Sequence, residues 1–332
     1  MLQKVEFGGV AANDFILNRP DGGFRLVTRS DMDGLVCAVL LNELDLIGDI
    51  TFVHPKDMQD GRVPVTGGDI TTNLPYVPGV FAAFDHHDSE TLRLDGALTN
   101  HIIDVDAPSA ARVVYEFFGG EKRFPWIAPE MMAAVDKADA ALFSYEDILQ
   151  PKGWELLSFI MDSRTGLGRF REFRISNYQL MMQLIEDCRL EPDVERLLAL
   201  PDVKERVDLY FGHYDRFVDQ VRRCTTVHMP MAVLDLRREE VIHPGNRFMI
   251  YALFPETNIS CHMMWAKGNE NVMLALGKSI FNRTNPTHIG DLMLRYGGGG
   301  HAAAGTCQVP ADKADEVLAE IIRVIERDQG LV

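Results

Sequence analysis

The sequence predicts an α/β protein: an N-terminal doubly wound, mainly parallel sheet domain, a helical connector, and a smaller C-terminal α/β domain, with a cleft between. Three observations predict it. Apolar runs at Phe24–Thr28 and Gly79–Phe84 each end in acid-bearing polar segments, the pattern of parallel strands whose carboxyl ends line a ligand crevice. Strand patterns then vanish from Trp154 to Arg223, where amphipathic helical periods replace them. After Val227, alternating apolar runs return. The expected domains are 1–150, 151–226 and 227–332.

Taken in order, Phe24–Thr28 is a short strand, Arg29-Ser30-Asp31-Met32-Asp33-Gly34 a loop, and Leu35–Leu46 a helix. Asp31 and Asp33 stand two residues apart, so an extended loop turns both to one side; as a helix N-cap and first-turn acid they have a plainer explanation. Ile50–Val53 and Val63–Val65 are further strand candidates. Gly67-Gly68 then brings Asp69 after residues that permit close backbone approach. Gly79–Phe84 leads into Asp85-His86-His87, and Ile102–Val105 is a short apolar run. Helices follow over Pro108–Phe118 and Pro129–Phe143, the second with Asp136 and Asp139 on one side.

The helical region contains Arg164 to Arg174, a loop with arginines at 164, 169, 171 and 174 and aromatic neighbours. It suits phosphate and bases, or else pairing with surrounding carboxylates. Phe170, Phe173 and Tyr178 are candidates for stacking a base. In the last third, Met231–Leu236, Phe248–Leu253, Ile259–Trp265 and Asn271–Leu276 read as strands, Ile289–Tyr296 and Lys313–Arg327 as helices. Between those helices runs Gly297-Gly298-Gly299-Gly300-His301-Ala302-Ala303-Ala304-Gly305. Four bare backbone amides before a histidine suit an anion-binding nest; a flexible connector is the alternative.

The 332 residues carry 46% apolar and 25% charged side chains, an ordinary globular balance with room for a sizeable core. A formal net charge of −16 disfavours a long nucleic-acid duplex as partner and leaves small phosphorylated ligands open. No run is long enough to span a membrane. The first residues lack the basic and apolar regions of a secretory signal, and the five cysteines form no Cys-x-x-Cys pair. Both point to the cytoplasm.

Together these segments resemble the DHH phosphoesterase superfamily with its DHH-associated C-terminal domain, in its nanoRNase/pAp phosphatase or exopolyphosphatase-like branch. Arg29-Ser30-Asp31-Met32-Asp33-Gly34, Gly68-Asp69, Asp85-His86-His87 and Val135-Asp136-Lys137 look like its four motifs, and Gly297–Gly305 like the signature of its second domain. The resemblance implies Mn²⁺ (or Mg²⁺) at two sites, held by Asp31, Asp33, Asp69, His86 and Asp136, with Asp69 bridging. It implies His87 beside the scissile phosphate and Asp85 orienting the histidines. Arg283, Asn282, His301 and the backbone of Gly298, Gly299 and Gly300 would grip a terminal phosphate. Two departures stand out: Val27 and Arg29 occupy positions where relatives carry a histidine or an aspartate. Arg29 either displaces a cation or contacts the phosphate itself.

The implied activity is metal-dependent hydrolysis of phosphate esters in small nucleotides, either short oligoribonucleotides or 3′-phosphoadenosine 5′-phosphate. The alternatives are an exopolyphosphatase or pyrophosphatase, and a nucleotide-binding protein with impaired catalysis. The expected partner is a small phosphorylated nucleotide or short single-stranded oligonucleotide; a homodimer is compatible with the sequence.

Overall fold

Strand β1 (Phe24–Thr28) runs into a tight loop and then the helix Met32–Glu43, and this unit positions everything that follows. The helix is buried continuously from Met32 to Leu41, because helices pack around it: Ala110–Phe117, Pro129–Asp139 and Asn177–Leu190. A helix covered on all sides needs no polar face. Asp31 caps its N-terminus, the side chain accepting from the Gly34 amide at 3.0 Å. Gly34 itself is required by space, since a Cβ there would lie 1.9 Å from the Arg29 carbonyl oxygen.

The computed structural model describes residues 9–87, 90–91, 98–170 and 172–331; Arg171 of the arginine-rich loop lies outside the described residues. The chain forms two compact units. The first holds the residues up to Leu142 with Lys152–Ser163 and Leu167–Asp208; the second holds Phe143–Pro151, Arg164–Gly166 and the residues from Leu209 on. The helical segment expected as a separate connector is therefore divided between them. Its apolar positions Leu180, Leu184, Ile185, Leu197 and Val203 bury in the same core as Leu35 and Leu40.

In the first unit, β1 is joined by β2 (Ile47–Phe52), β3 (Asp69–Thr72), β4 (Ala82–Asp85) and β5 (His101–Ile103) in the order β2-β1-β3-β4-β5. All pairings are parallel, as expected for a doubly wound sheet. Chain order reverses direction at β1, so the crevice at its carboxyl end is a topological switch point. A cluster of Phe15, Phe24, Phe84, Phe117 and Phe118, with neighbouring rings 4.9–6.3 Å apart, closes the core under the sheet. Val27 is fully buried against Met58 and Leu74.

The second unit carries a mixed sheet in the order β10-β11-β9-β8-β7-β6, made of β6 (Thr225–His228), β7 (Met231–Asp235), β8 (Ile259–Trp265), β9 (Asn271–Lys278), β10 (Gly299–His301) and β11 (Ala304–Pro310). Only β7–β8 is parallel. The helices Ile289–Leu294 and Ala314–Asp328 cover it through Ile289, Leu292, Met293, Ile321 and Ile325. Phe248–Leu253, expected as a strand, is the helix Met249–Leu253; three of its five residues are buried, so a short apolar run was ambiguous by periodicity. No helix among the described residues is long and apolar enough to cross a membrane.

Candidate metal centre

The carboxyl ends of β1 and β4 and the last turn of the helix Pro129–Asp139 bring together Asp33, His86 and Asp139. Ligand-capable atoms of all three lie within 4.8 Å of one another. His86 Nδ1 lies 3.2 Å from the Ala107 carbonyl, a contact that assigns a ring proton to Nδ1 and turns Nε2 toward the acids. Nε2 lies 2.8 Å from Asp139 Oδ2, yet without the alignment of a hydrogen bond, so it has no hydrogen-bond partner. Asp33 is 1% exposed and accepts from the Ala111 amide at 2.7 Å and the Ala110 amide at 3.1 Å. Those two amides fix the carboxylate at the start of the helix Ala110–Phe117.

The electrostatics ask for a cation. Burial raises the Asp33 carboxyl above its ordinary range, with Asp139 adding to the effect. Burial also opposes charge on Asp139, but the His86 contact outweighs it and holds Asp139 ionised. Burial pulls the His86 imidazole down; its contact with Asp139 overcomes this and pushes it up to about 9. Without a metal, a proton on His86 is what balances the buried acids. Two hard carboxylates and one imidazole with an unpartnered nitrogen fit a single divalent ion such as Mn²⁺.

Asp85 and His87 form a second pair. Asp85 is 0% exposed, and its Oδ1 accepts from the amides of His86 (2.8 Å) and His87 (3.2 Å) and from His87 Nδ1 (2.7 Å). Burial lowers the His87 pKa and the Asp85 hydrogen bond raises it, with a net rise. That bond assigns the Nδ1 proton and points Nε2 away from Asp85. The side chain keeps 36% of its exposure, so it is the reachable imidazole of the pair.

Two expected ligands are elsewhere. Asp69 begins β3 rather than ending it, which places it at the opposite edge of the sheet. Arg25 grips it with a two-bond fork at 2.8 and 2.8 Å, and the Thr66 amide donates to it at 2.6 Å. Despite burial, these donors hold its carboxyl below the ordinary range. The residue at the carboxyl end of β3 is Asn73, 1% exposed, in the left-handed region at φ 54°, with neither amide atom hydrogen-bonded. Asp136 likewise turns from the cluster. It accepts from Ser109 Oγ at 2.8 Å and from Arg112 Nε and Nη2 at 3.0 and 2.5 Å. Asp139, three residues on, is the acid that meets His86. Asp31 lies beside the cluster, its Oδ2 3.1 Å from Arg29 Nε.

The residues expected to grip phosphate belong to the second unit. Asn282 Oδ1 accepts from Thr284 Oγ1 at 2.6 Å, Arg283 Nε donates to the Ile280 carbonyl at 3.1 Å, and His301 Nδ1 accepts from the Ala303 amide at 3.3 Å. The glycine run is built into the edge of the second sheet and the turn before it. The amides of Gly297 and Gly298 cap the helix Ile289–Leu294 through the carbonyls of Leu294 and Met293. Gly299 and Gly300 pair with Thr306 and Gly305, and a Cβ on Gly298 or Gly300 would meet a β11 carbonyl at 2.0 or 2.2 Å. Close packing explains these glycines. In the arginine-rich loop, Arg174 pairs with Asp202. Phe173 lies 4.0 Å under Arg206, and Tyr178 donates to the Ile50 carbonyl at 3.3 Å.

The chain matches no protein-family model and no curated protein. Among solved structures it is similar to the pGpG-specific phosphodiesterase PggH from Vibrio cholerae, with 55% identity over 92% of this chain and 99% of that one and a TM-score of 0.79. It shares its fold with an exopolyphosphatase-related protein from Bacteroides fragilis (12% identity, 95% of each chain, TM-score 0.52). It also shares it with RecJ from Thermus thermophilus solved with Mn²⁺ (14% identity, 98% of this chain and 56% of that one, TM-score 0.52). With full-length identity of the degree seen to PggH, the chain belongs to the DHH phosphoesterase superfamily.

Proposed function

We propose that the chain is a divalent-cation-dependent phosphodiesterase that hydrolyses pGpG or a closely related short 5′-phosphorylated oligonucleotide. The observation that carries this is the convergence of Asp33, His86 and Asp139 at the strand ends, in a chain 55% identical to a pGpG-specific phosphodiesterase. Mn²⁺ suits the mixed carboxylate and imidazole donors better than Mg²⁺, which favours oxygen ligands and water.

Asp33, His86 and Asp139 would hold the ion. Such an ion, when bound, lowers the pKa of an adjacent water and neutralises charge on the attacked phosphoryl group. Asp33 is held in place by two helix amides. Asp85, locked by backbone amides, fixes His87 and favours its protonated form. His87 would then give its Nε2 proton to the departing ribose oxygen as the phosphorus–oxygen bond breaks. The attacking water forms the new bond to phosphorus and returns a proton to the imidazole. Arg283, Asn282 and His301 are proposed to bind the terminal phosphate.

The test is hydrolysis of pGpG by metal-stripped protein with and without added Mn²⁺. GMP release only with the ion is expected. Release of phosphate from polyphosphate or 3′-phosphoadenosine 5′-phosphate, with pGpG left intact, would contradict the proposal.

A further inference from the structure

We propose that Arg29 supplies a built-in positive charge to the phosphoryl-binding crevice, so that the site takes one divalent ion and an arginine where a second ion would stand. This inference rests on the metal-dependent phosphodiesterase reading above. Its first support is where the acids are. A second ion near the first needs further carboxylates, and three of the expected ones, Asp69, Asp136 and Asp31, are held by other groups. Asp69 is at the other edge of the sheet under the Arg25 fork. Asp136 is held by Arg112 and Ser109. Asp31 has one oxygen on the Gly34 amide and the other 3.1 Å from Arg29 Nε.

The second support is what stands at the ends of the central strands. Val27 pairs with Thr71 and Thr72 with Phe84, so continuing the register sets Arg29, two residues past Val27, and Asp85, one past Phe84, on either side of Asn73. Asn73 is neutral, buried and without hydrogen-bond partners on either amide atom. A neutral amide there attracts a second divalent ion far less than a carboxylate would. Val27 is packed against Met58 and Leu74 and offers no donor atom.

The third support is Arg29 itself. Its Nε lies 3.1 Å from Asp31 Oδ2, at the N-cap of the helix that carries the ligand Asp33, and its side chain is 26% exposed. Its backbone cannot drift, because Gly34 packs directly on its carbonyl. A guanidinium presents a rigid fork of donors matched to phosphate oxygens. At the same place it repels a second cation.

The experiment measures Mn²⁺ bound per full-length chain, by elemental analysis after removal of excess metal and by the electron paramagnetic resonance spectrum. Parent protein is expected to bind one ion with the hyperfine pattern of an isolated centre. The double substitution Arg29→Asp with Asn73→Asp is expected to bind two, with the spectrum of a coupled pair. Two ions in the parent would overturn this inference and leave the phosphodiesterase reading standing. No ion in the parent would overturn both. One ion in a double variant shown by circular dichroism to be folded would overturn the role of Arg29 in excluding the second. Should that variant not fold, Arg29→Gln decides. It removes the charge and adds no carboxylate, so it should keep one ion and lose roughly 10²-fold in kcat, the scale of one lost transition-state donor. Unchanged turnover in Arg29→Gln would refute the proposal.

Discussion

Replacing Asp69 by Asn separates a structural acid from a catalytic one. The Asp69 carboxylate accepts two bonds from Arg25 at 2.8 Å and one from the Thr66 amide at 2.6 Å, and its side chain is 4% exposed. Hydrogen bonds to a buried charged group are worth about 1.5–3 kcal/mol each, and removing one partner of a buried pair costs about 3–5 kcal/mol. Two features reduce that figure here. Arg25 is 30% exposed, so water and salt screen the pair, and Asn keeps one acceptor oxygen. A loss of about 2 kcal/mol follows. Urea unfolding should shift to a lower midpoint at unchanged slope. Metal content and kcat per folded molecule should stay within a few fold of the parent. A variant that unfolds like the parent but has lost its metal and roughly 10²-fold or more of its turnover would refute the placement of Asp69 outside the centre.

Three further outcomes follow from the same geometry. Asp139→Asn should lose metal and at least roughly 10²-fold in turnover, more than the 10–100-fold typical of outer-shell partners; Asp136→Asn should chiefly lose stability, read by parallel metal and urea titrations. Gly34→Ala must move the Arg29 carbonyl by more than about 1 Å, because its Cβ would start 1.9 Å away; a shift of that size near reacting groups costs on the order of 10²-fold in rate, while Gly67→Ala, with open space around it, should be neutral in the same kinetic assay. In the second unit, Arg223 and Gln220 hold Glu239 down at about 2 from an ordinary 4.5. Its folded pKa is depressed, so its stabilisation is complete above the unfolded value and fades as the pH falls toward 2; Glu239→Gln should therefore flatten the acid limb of stability below pH 4.5, measured by denaturant melts across that range.

The parts of the fold legible in the sequence were those with an unbroken apolar signal. Phe24–Thr28 and the run ending at Phe84 are buried strands, and the polar residues after them are the crevice residues, because a parallel strand stays apolar until its carboxyl end. The same logic failed at Asp69. The strand it opens is Asp69-Ile70-Thr71-Thr72, and its two threonines hid it. Thr72 bonds to Thr28 Oγ1 at 2.7 Å in the sheet interior, a pairing visible only once β1 and β3 are neighbours. Asp136 and Asp139 share a helix face, and nothing local decides between them. The choice is made by Arg112 and Ser109, which come from a different helix and its cap. Asn73 carried no signal in the sequence, because its burial and its lack of side-chain partners appear only after folding. The glycine run suggested bared amides for an anion; that Gly298 and Gly300 lie against carbonyls of β11 appears only once β10 and β11 pair.

The most direct measurement is Mn²⁺-dependent release of GMP from pGpG by the parent protein and by His86→Ala, with bound metal determined on both samples. The parent should bind the ion and turn over. His86→Ala should lose both while keeping its circular dichroism spectrum, because Nε2 is the nitrogen of this cluster and has no hydrogen-bond partner among the described residues. Parent-like metal content and turnover in His86→Ala would contradict the account of this centre.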